Sequence, residues 1–169
     1  MLNSMAYAYF FGNHQYSKNN DTTPTHLPLT KLLTANPMLI KKTVSSPSFV
    51  LIIENDDTLR EILVELLDFS DVPCLDTRDG CEGVLLFEHH QHDIDLVIMD
   101  MGLFDTNGAT VLQELEAIRP NVKVIIISGQ EKKKLDLQFK AHANVSVVQK
   151  PFDTFAFLKV VSNQLSHPV

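Results

Sequence analysis

The chain has 169 residues, 44% of them apolar and 21% charged, which is an ordinary globular composition and enough for one domain with a sizeable core. The net charge of −7 is uneven: residues 1–47 carry four lysines and one aspartate, whereas residues 48–169 carry ten basic and twenty acidic residues. So acidic a body argues against nucleic-acid backbones and membranes as main partners, and it is compatible with binding a divalent cation.

The two cysteines indicate a reducing compartment. Cys74 and Cys81 lie seven residues apart, a spacing that fits neither a disulfide framework nor a zinc site, so we expect buried or free thiols. The longest apolar run near the N-terminus, residues 5–12, is too short to cross a bilayer and follows no basic residue. We therefore expect a cytoplasmic protein without a signal peptide.

Residues 1–47 differ from the rest of the chain. They are rich in Asn, Thr, Ser, Tyr and Pro and lack the periodicity of a helix or a strand. We interpret them as a disordered N-terminal extension, followed by one folded domain over residues 48–169. Met38 lies shortly before the first predicted strand, and the sequence leaves open whether it is the true start.

From residue 49 onward, apolar runs alternate with helical patterns. The five strand-like runs are FVLII (49–53), VPCLDT (72–77), DLVIM (95–99), VKVIIIS (122–128) and VSVVQ (145–149). Helical patterns follow them at residues 59–67, 81–90, 108–118, 132–143 and 153–165. The fourth helix has the poorest pattern, because Leu135, Leu137 and Phe139 alternate. Asp56 or Asp57 is placed to cap the first helix, and Asp153 the last.

This alternation predicts an α/β fold, a doubly wound five-stranded parallel sheet with helices on both faces. Right-handed crossovers leave few topologies, of which the flavodoxin-like order 2-1-3-4-5 is the commonest at this size. In such a sheet, functional groups gather at the carboxyl ends of the strands, near the point where the strand order reverses.

Polar residues lie at the carboxyl ends of four of the five predicted strands: Glu54-Asn55-Asp56, Asp100, Ser128-Gly129 and Gln149-Lys150-Pro151. Each alone is explained as a cap, a turn or a surface residue, but the set is chemically complementary. Two acids in one pocket repel each other unless a cation joins them, and Mg²⁺ accepts ligands from one or two carboxylates. A carboxylate in such a pocket can act as a nucleophile and carry a phosphoryl group.

The position of Asp100 makes it the candidate nucleophile, because it lies between the acidic first strand and the strand that ends in Ser128. Lys150, together with a hydroxyl or backbone N–H near Ser128, would neutralise the phosphoryl oxygens. Gly102 would let the backbone turn inward, so that its carbonyl could also bind the metal. These residues together predict phosphoryl transfer to an aspartate.

With these residues in place, residues 49–165 resemble the receiver domain of two-component response regulators, the CheY-like fold. The order and spacing of the site residues are similar to those of the family. The family's acidic pair, phosphoacceptor aspartate, Ser/Thr and lysine fall on Glu54-Asn55, Asp100, Ser128 and Lys150.

The resemblance implies a metal, a donor and a partner. Mg²⁺ would be bound by Glu54, Asn55, Asp100 and the backbone carbonyl of Gly102, and the Lys150-Pro151 bond would be cis. A sensor histidine kinase or phosphotransfer protein would donate the phosphoryl group. A downstream protein would bind the face formed by the fourth helix, fifth strand and fifth helix. Whether the chain forms a homodimer is left open.

Three departures from the family predict an atypical receiver. Asn55 replaces a metal-binding acid, so Mg²⁺ affinity should fall, and Asp56 looks more like a cap than a substitute ligand. Phe104 replaces the usual proline, and Val147 replaces the aromatic switch residue. The signalling surface should therefore respond weakly or differently to phosphorylation.

Three functional hypotheses follow. The first is a stand-alone receiver phosphorylated on Asp100, since the nineteen residues after Lys150 suffice only for one helix; any enzymatic activity would be self-phosphorylation and autodephosphorylation. The second is a pseudo-receiver, a binding module without a phosphorylation cycle. The third, an aspartyl-phosphate phosphatase, has little support because it needs an acid where Gly102 stands. The histidines near residue 90 and the lysine run at 132–134 are interpreted as solvated.

Overall fold

The computed structural model describes residues 49–166, so the predicted extension at 1–47 and the possible start at Met38 lie outside the described residues. Strands and helices alternate along this part of the chain. They are β1 Phe49–Ile53, α1 Asp57–Phe69, β2 Cys74–Thr77, α2 Gly80–His90, β3 Ile94–Asp100, α3 Gly108–Ile118, β4 Val124–Ser128, α4 Lys132–Gln138, β5 Val145–Gln149 and α5 Thr154–Ser166.

The strands form one parallel sheet in the order β2-β1-β3-β4-β5. This confirms the predicted flavodoxin-like order. The register places Ile53 beside Met99, Asp100 beside Ile127 and Ser128 beside Gln149. The carboxyl ends of β1, β3, β4 and β5 therefore meet at one edge of the sheet.

The sheet is covered on both faces, as its apolar sequence requires. Successive strand residues point to opposite faces. Leu51, Val97 and Ile126 belong to a buried cluster with Phe87 of α2 and residues of α3 and α4. On the other face, α1 packs against β1 and β2, and α5 packs against β3. The central strand β3 is thus buried except for the half-buried Asp95, and its last residue is Asp100.

The predicted boundaries of β1, α3 and β5 match those of the structure. The strand β3 is longer than predicted and includes Asp100 as its last residue. The strands β2 and β4 begin two residues later than predicted. The helix α4 ends at Gln138, five residues early, in keeping with its poor periodicity.

Local predictions at the helix ends were also resolved. Asp56 caps α1 by accepting a hydrogen bond from the Leu59 N–H (3.0 Å), whereas Asp57 is the first helical residue. Asp153 accepts from the Ala156 N–H at 2.9 Å, which confirms it as the cap of α5.

The Lys150-Pro151 bond is cis, and both cysteines are free thiols. Within residues 49–166, no helix has the length and apolar character needed to cross a membrane.

The cap of α1 can be tested by comparing two neighbouring acids. Asp56→Ala removes the acceptor of the Leu59 N–H and should lower the free energy of unfolding by about 1 kcal/mol. Asp57→Ala removes the same charge and breaks only an ion pair between Arg60 and an exposed carboxylate, so it should lower stability much less. Urea denaturation of the two variants measures the difference, and equal losses would contradict the assignment.

Candidate functional site

The ammonium of Lys150 lies between two carboxylates at the carboxyl edge of the sheet. Its Nζ is 2.9 Å from Glu54 Oε2 and 3.0 Å from Asp100 Oδ1. Glu54 is 1% exposed and Asp100 8% exposed, so both acids are buried. The structure thus brings together three of the predicted site residues, each carried by a different strand.

One cation shared by two anions explains the ionisation of the site. Burial raises the pKa of Glu54 above its ordinary 4.5, and the nearby charge of Asp100 raises it further, although hydrogen bonds from Lys150 and the Asp56 N–H oppose this. Burial alone would lower the pKa of Lys150, but its hydrogen bonds and charge interactions with both acids raise it above 10.5. Lys150 is therefore held protonated, and its single positive charge is shared between the two acids.

Backbone groups fix the two carboxylates. Asp100 Oδ2 accepts a hydrogen bond from the Gly102 N–H at 2.9 Å. Glu54 Oε1 accepts one from the Asp56 N–H at 3.1 Å, and the Glu54 carbonyl accepts one from Arg60 at 3.1 Å. Each acid thus keeps one oxygen on the backbone and turns the other toward Lys150.

Asn55 and Gly102, both predicted as metal ligands, are bonded to each other. The Asn55 side-chain amide donates to the Gly102 carbonyl at 3.3 Å. The Asn55 side chain thus reaches the loop that follows Asp100, as a metal ligand at this position must. Asp56 does not supply the missing acid, because its Oδ1 caps α1.

The residues at this edge fit a magnesium ion by their chemistry. Two carboxylates, an amide oxygen and a backbone carbonyl are the hard oxygen ligands that Mg²⁺ prefers. Within residues 49–166 no group of three or more His, Cys, Asp or Glu is placed to hold a metal, so the acids available are the pair Glu54 and Asp100. With both ionised, the pair exceeds the charge of Lys150 by one unit, which a cation would offset.

Ser128 lies at the same edge but is engaged elsewhere. Its hydroxyl accepts a hydrogen bond from the Gln130 N–H at 3.2 Å, and its carbonyl accepts one from the Lys150 N–H at 2.7 Å. It is buried and, within the described residues, makes no hydrogen bond to Glu54 or Asp100. The structure therefore joins Ser128 to Lys150 through the backbone and leaves its hydroxyl outside the acid pair.

The residues that depart from the family pattern lie around the site. Phe104 is 84% exposed on the loop after Asp100. Val147 is half-buried in β5, and its carbonyl accepts a hydrogen bond from Lys132 Nζ at 3.3 Å. The Lys132 N–H donates to the Gln149 side chain at 3.1 Å. The first residue of α4 is thus bonded to the strand that leads to Lys150.

Sequence reasoning missed two residues that organise the edge. Arg60 forms ion pairs with Asp76 (3.1 Å) and Asp57 (2.8 Å) and donates a hydrogen bond to the Glu54 carbonyl. Asp76 lies in β2 beside β1, so the rule that strand ends meet could have found its contact with Arg60. Asp105 accepts hydrogen bonds from the N-terminus of α2, and no local pattern predicts a contact across 25 residues.

A doubly wound parallel sheet in the order 2-1-3-4-5, with an acid pair and a lysine at its carboxyl edge, is the architecture of a CheY-like receiver. Residues 50–162 match the response regulator receiver domain family, which is more than half of the chain. The chain therefore belongs to the response regulator receiver domain family.

Three similar proteins illustrate the membership. Sensor kinase CckA of Brucella abortus (strain 2308) is 25% identical over 122 residues, which is 72% of this chain but only 13% of CckA. Chemotaxis protein CheY of Treponema pallidum (strain Nichols) is 25% identical over 126 residues, 74% of this chain and 88% of CheY. The CheX-CheY-BeF3-Mg²⁺ complex from Borrelia burgdorferi superposes with a TM-score of 0.64 at 26% identity, covering 69% of this chain and 88% of that one.

Membership carries general properties. Receiver domains of two-component systems are typically phosphorylated on an aspartate and generally bind Mg²⁺. They interact with histidine kinases or phosphotransfer proteins and with downstream targets.

The shared ammonium predicts opposite effects of two substitutions on Glu54. In metal-free protein, Lys150→Met should raise the pKa of Glu54 further because a stabilising cation is lost. Asp100→Asn should lower it because a repelling charge is lost. Carboxyl ¹³C NMR titration measures both, and shifts in the same direction would contradict a cation shared between the acids.

The raised pKa of Glu54 also predicts how the stability of the protein changes with pH. The folded pKa of Glu54 exceeds 4.5, so between the two values the folded state binds more protons than the unfolded state. The contribution of Glu54 to stability should therefore fall as pH rises above 4.5 through the folded pKa. Glu54→Gln should flatten that part of the stability profile.

Proposed function

We propose that this chain accepts a phosphoryl group on Asp100 from a histidine kinase or phosphotransfer protein and signals through protein contacts. The observation that carries the proposal is the placement of Asp100: it ends the central buried strand, and the Lys150 ammonium lies 3.0 Å from its Oδ1. The proposal assigns the receiver to residues 48–169, with residues 1–47 as an extension. The free thiols of Cys74 and Cys81 favour a reducing, cytoplasmic setting.

The chemistry is a nucleophilic displacement at phosphorus. A carboxylate oxygen of Asp100 forms the new O–P bond, while the bond to the donor breaks and its electron pair leaves with the donor. Lys150 stays protonated, as its raised pKa requires, and stabilises the charge on the phosphoryl oxygens. Glu54 would hold Mg²⁺ with Asp100, the Asn55 amide oxygen and the Gly102 carbonyl; when bound, the ion supplies further neutralisation of those oxygens.

The output surface proposed is the face formed by α4, β5 and α5. Leu137 is 66% exposed, which gives α4 an apolar contact point. The hydrogen bonds from Lys132 to Val147 and Gln149 join α4 to β5. Because β5 leads directly to Lys150, a change at the site has a short covalent route to this face.

Intact-mass spectrometry of the full chain tests the proposal. Incubation with acetyl phosphate and Mg²⁺ should add one phosphoryl group that hydroxylamine removes, since acyl phosphates react with that nucleophile. Asp100→Asn should show no gain, because the amide is not a nucleophile for this transfer. A folded wild-type protein that gains no mass would overturn the proposal.

A second function, a pseudo-receiver without phosphorylation, is favoured by one observation. Lys150 bridges the acids and Asn55 holds the Gly102 carbonyl, so the polar groups of the site are paired without a metal. Within residues 49–166 no buried side-chain nitrogen or oxygen lacks a hydrogen-bond partner. Backbone amide NMR near Asp100 separates the two functions: no response to millimolar Mg²⁺ would favour the pseudo-receiver.

The identity of residue 55 should set the metal affinity. Asn55→Asp adds a negative charge and removes the amide donor that holds the Gly102 carbonyl, so the Kd for Mg²⁺ should fall by roughly tenfold or more. Isothermal titration calorimetry measures it. Asn121→Asp is the matched control, since it makes the same change at the opposite edge of the sheet, in the turn before β4; equal effects would show that only net charge matters.

A further inference from the structure

The helix α2 is capped by a residue from a distant loop. Asp79 stands at its N-cap position and is of the right residue type, yet its side chain makes no capping hydrogen bond. Asp105 takes that role instead: its Oδ1 accepts from the Gly80 N–H and its Oδ2 from the Cys81 N–H, each at 2.9 Å. Both oxygens of the Asp105 carboxylate thus bind the N-terminus of α2 and join two separate segments of the chain.

The segment that Asp105 joins to α2 is the loop after Asp100, residues 101–107. At its start, the Met101 N–H donates to the Ile127 carbonyl at 3.1 Å. At its end, Asn107 caps α3 by accepting from the Ala109 N–H at 2.9 Å. Between these anchors the described hydrogen bonds are those of Gly102, at Asp100 and Asn55, and those of Asp105.

Packing at Gly80 independently shows that α2 and this loop fit closely. A Cβ added to Gly80 would lie 2.5 Å from Thr106 Cγ2 and 2.9 Å from Val111 Cγ2. At separations below 3 Å the Thr106 and Val111 side chains would have to shift, so glycine is the residue that permits this approach unchanged. The close approach is what brings the amides of Gly80 and Cys81 within reach of Asp105.

We propose that Asp105 is a positioning residue for phosphoryl transfer: by holding the loop on α2, it keeps the Gly102 N–H on Asp100 Oδ2. The inference rests on the proposed function of Asp100. Gly102 has no side chain to pack and lies three residues before Asp105, so its placement depends on the anchors on either side.

The electrostatics of the contact support a persistent anchor. Hydrogen bonds from the Cys81 and Gly80 amides lower the pKa of Asp105 below its usual range, although slight burial opposes them. Asp105 is therefore ionised at neutral pH, and a negative charge at a helix N-terminus is favourable.

Three variants of the full chain test the inference. Asp105→Ala removes both hydrogen bonds. Asp105→Asn keeps one acceptor, and serves if the alanine variant does not fold. Asp79→Ala is the matched control, because it removes the same charge from the same helix terminus without breaking a capping bond.

The first readout does not depend on phosphorylation. The ¹H–¹⁵N resonance of Gly102 should shift in Asp105→Ala, less in Asp105→Asn and not in Asp79→Ala. A helix cap with a purely structural role would change the melting temperature but leave the Gly102 resonance in place. An unchanged Gly102 resonance in folded Asp105→Ala would overturn the inference.

The second readout is the initial rate of phosphoryl incorporation from acetyl phosphate, measured well below the melting temperature of each variant. Asp105→Ala should be slower than wild type by on the order of tenfold, because the nucleophile is less well oriented, and Asp79→Ala should match wild type. Equal rates for wild type and Asp105→Ala would contradict the inference. If wild type itself incorporates nothing, the proposed function fails, while the Gly102 resonance still decides whether Asp105 positions the loop.

Discussion

One ammonium between two buried carboxylates is the interaction on which the rest of this edge depends. Burying an acid without a partner is costly, and burying two side by side is costlier still. Lys150 makes the arrangement possible, and it does so across three strands, since Glu54 follows β1, Asp100 ends β3 and Lys150 follows β5. β1 and β3 are neighbours in the sheet, but β4 lies between β3 and β5, so the cluster forms only when all four of these strands are in place. The site is therefore a property of the complete fold rather than of any one segment.

The cluster also explains how a receiver can tolerate Asn55. An acid at this position would add a third negative charge to a pocket that already has one more anion than cation. The amide adds none and instead bonds to the Gly102 carbonyl. The chain thus has a hydrogen bond where an acid would add charge, so we expect the metal-free site to be better satisfied and its attraction for a cation to be weaker. The receiver function requires that the remaining attraction suffices to bind a cation, whereas the pseudo-receiver function requires only the hydrogen-bonded, metal-free site.

Much of the fold was predictable because its signals are local. Apolar β-branched runs marked β1 and β5 to the residue, and the helical spacing of Val111, Leu112 and Leu115 marked α3. The rule that parallel strand ends meet then brought Glu54, Asp100 and Lys150 together. What escaped prediction depends on side-chain direction or long-range contact. The hydroxyl of Ser128 bonds to the next turn, a rotamer choice that no sequence pattern encodes. The cap of α2 comes from Asp105, while the local candidate Asp79 is unused.

The strand order also divides the cluster into fixed and movable members. β1 and β3 have hydrogen-bonded neighbours on both sides, whereas β5 is an edge strand paired only with β4. Interior strands open only at a free energy close to that of global unfolding, and edge strands open more readily. Glu54 and Asp100 are thus held by interior strands, while Lys150 follows an edge strand. Any event that separates β5 from β4 would move Lys150 away while Glu54 and Asp100 stay in place. The net charge of the pocket is therefore coupled to the pairing of one edge strand.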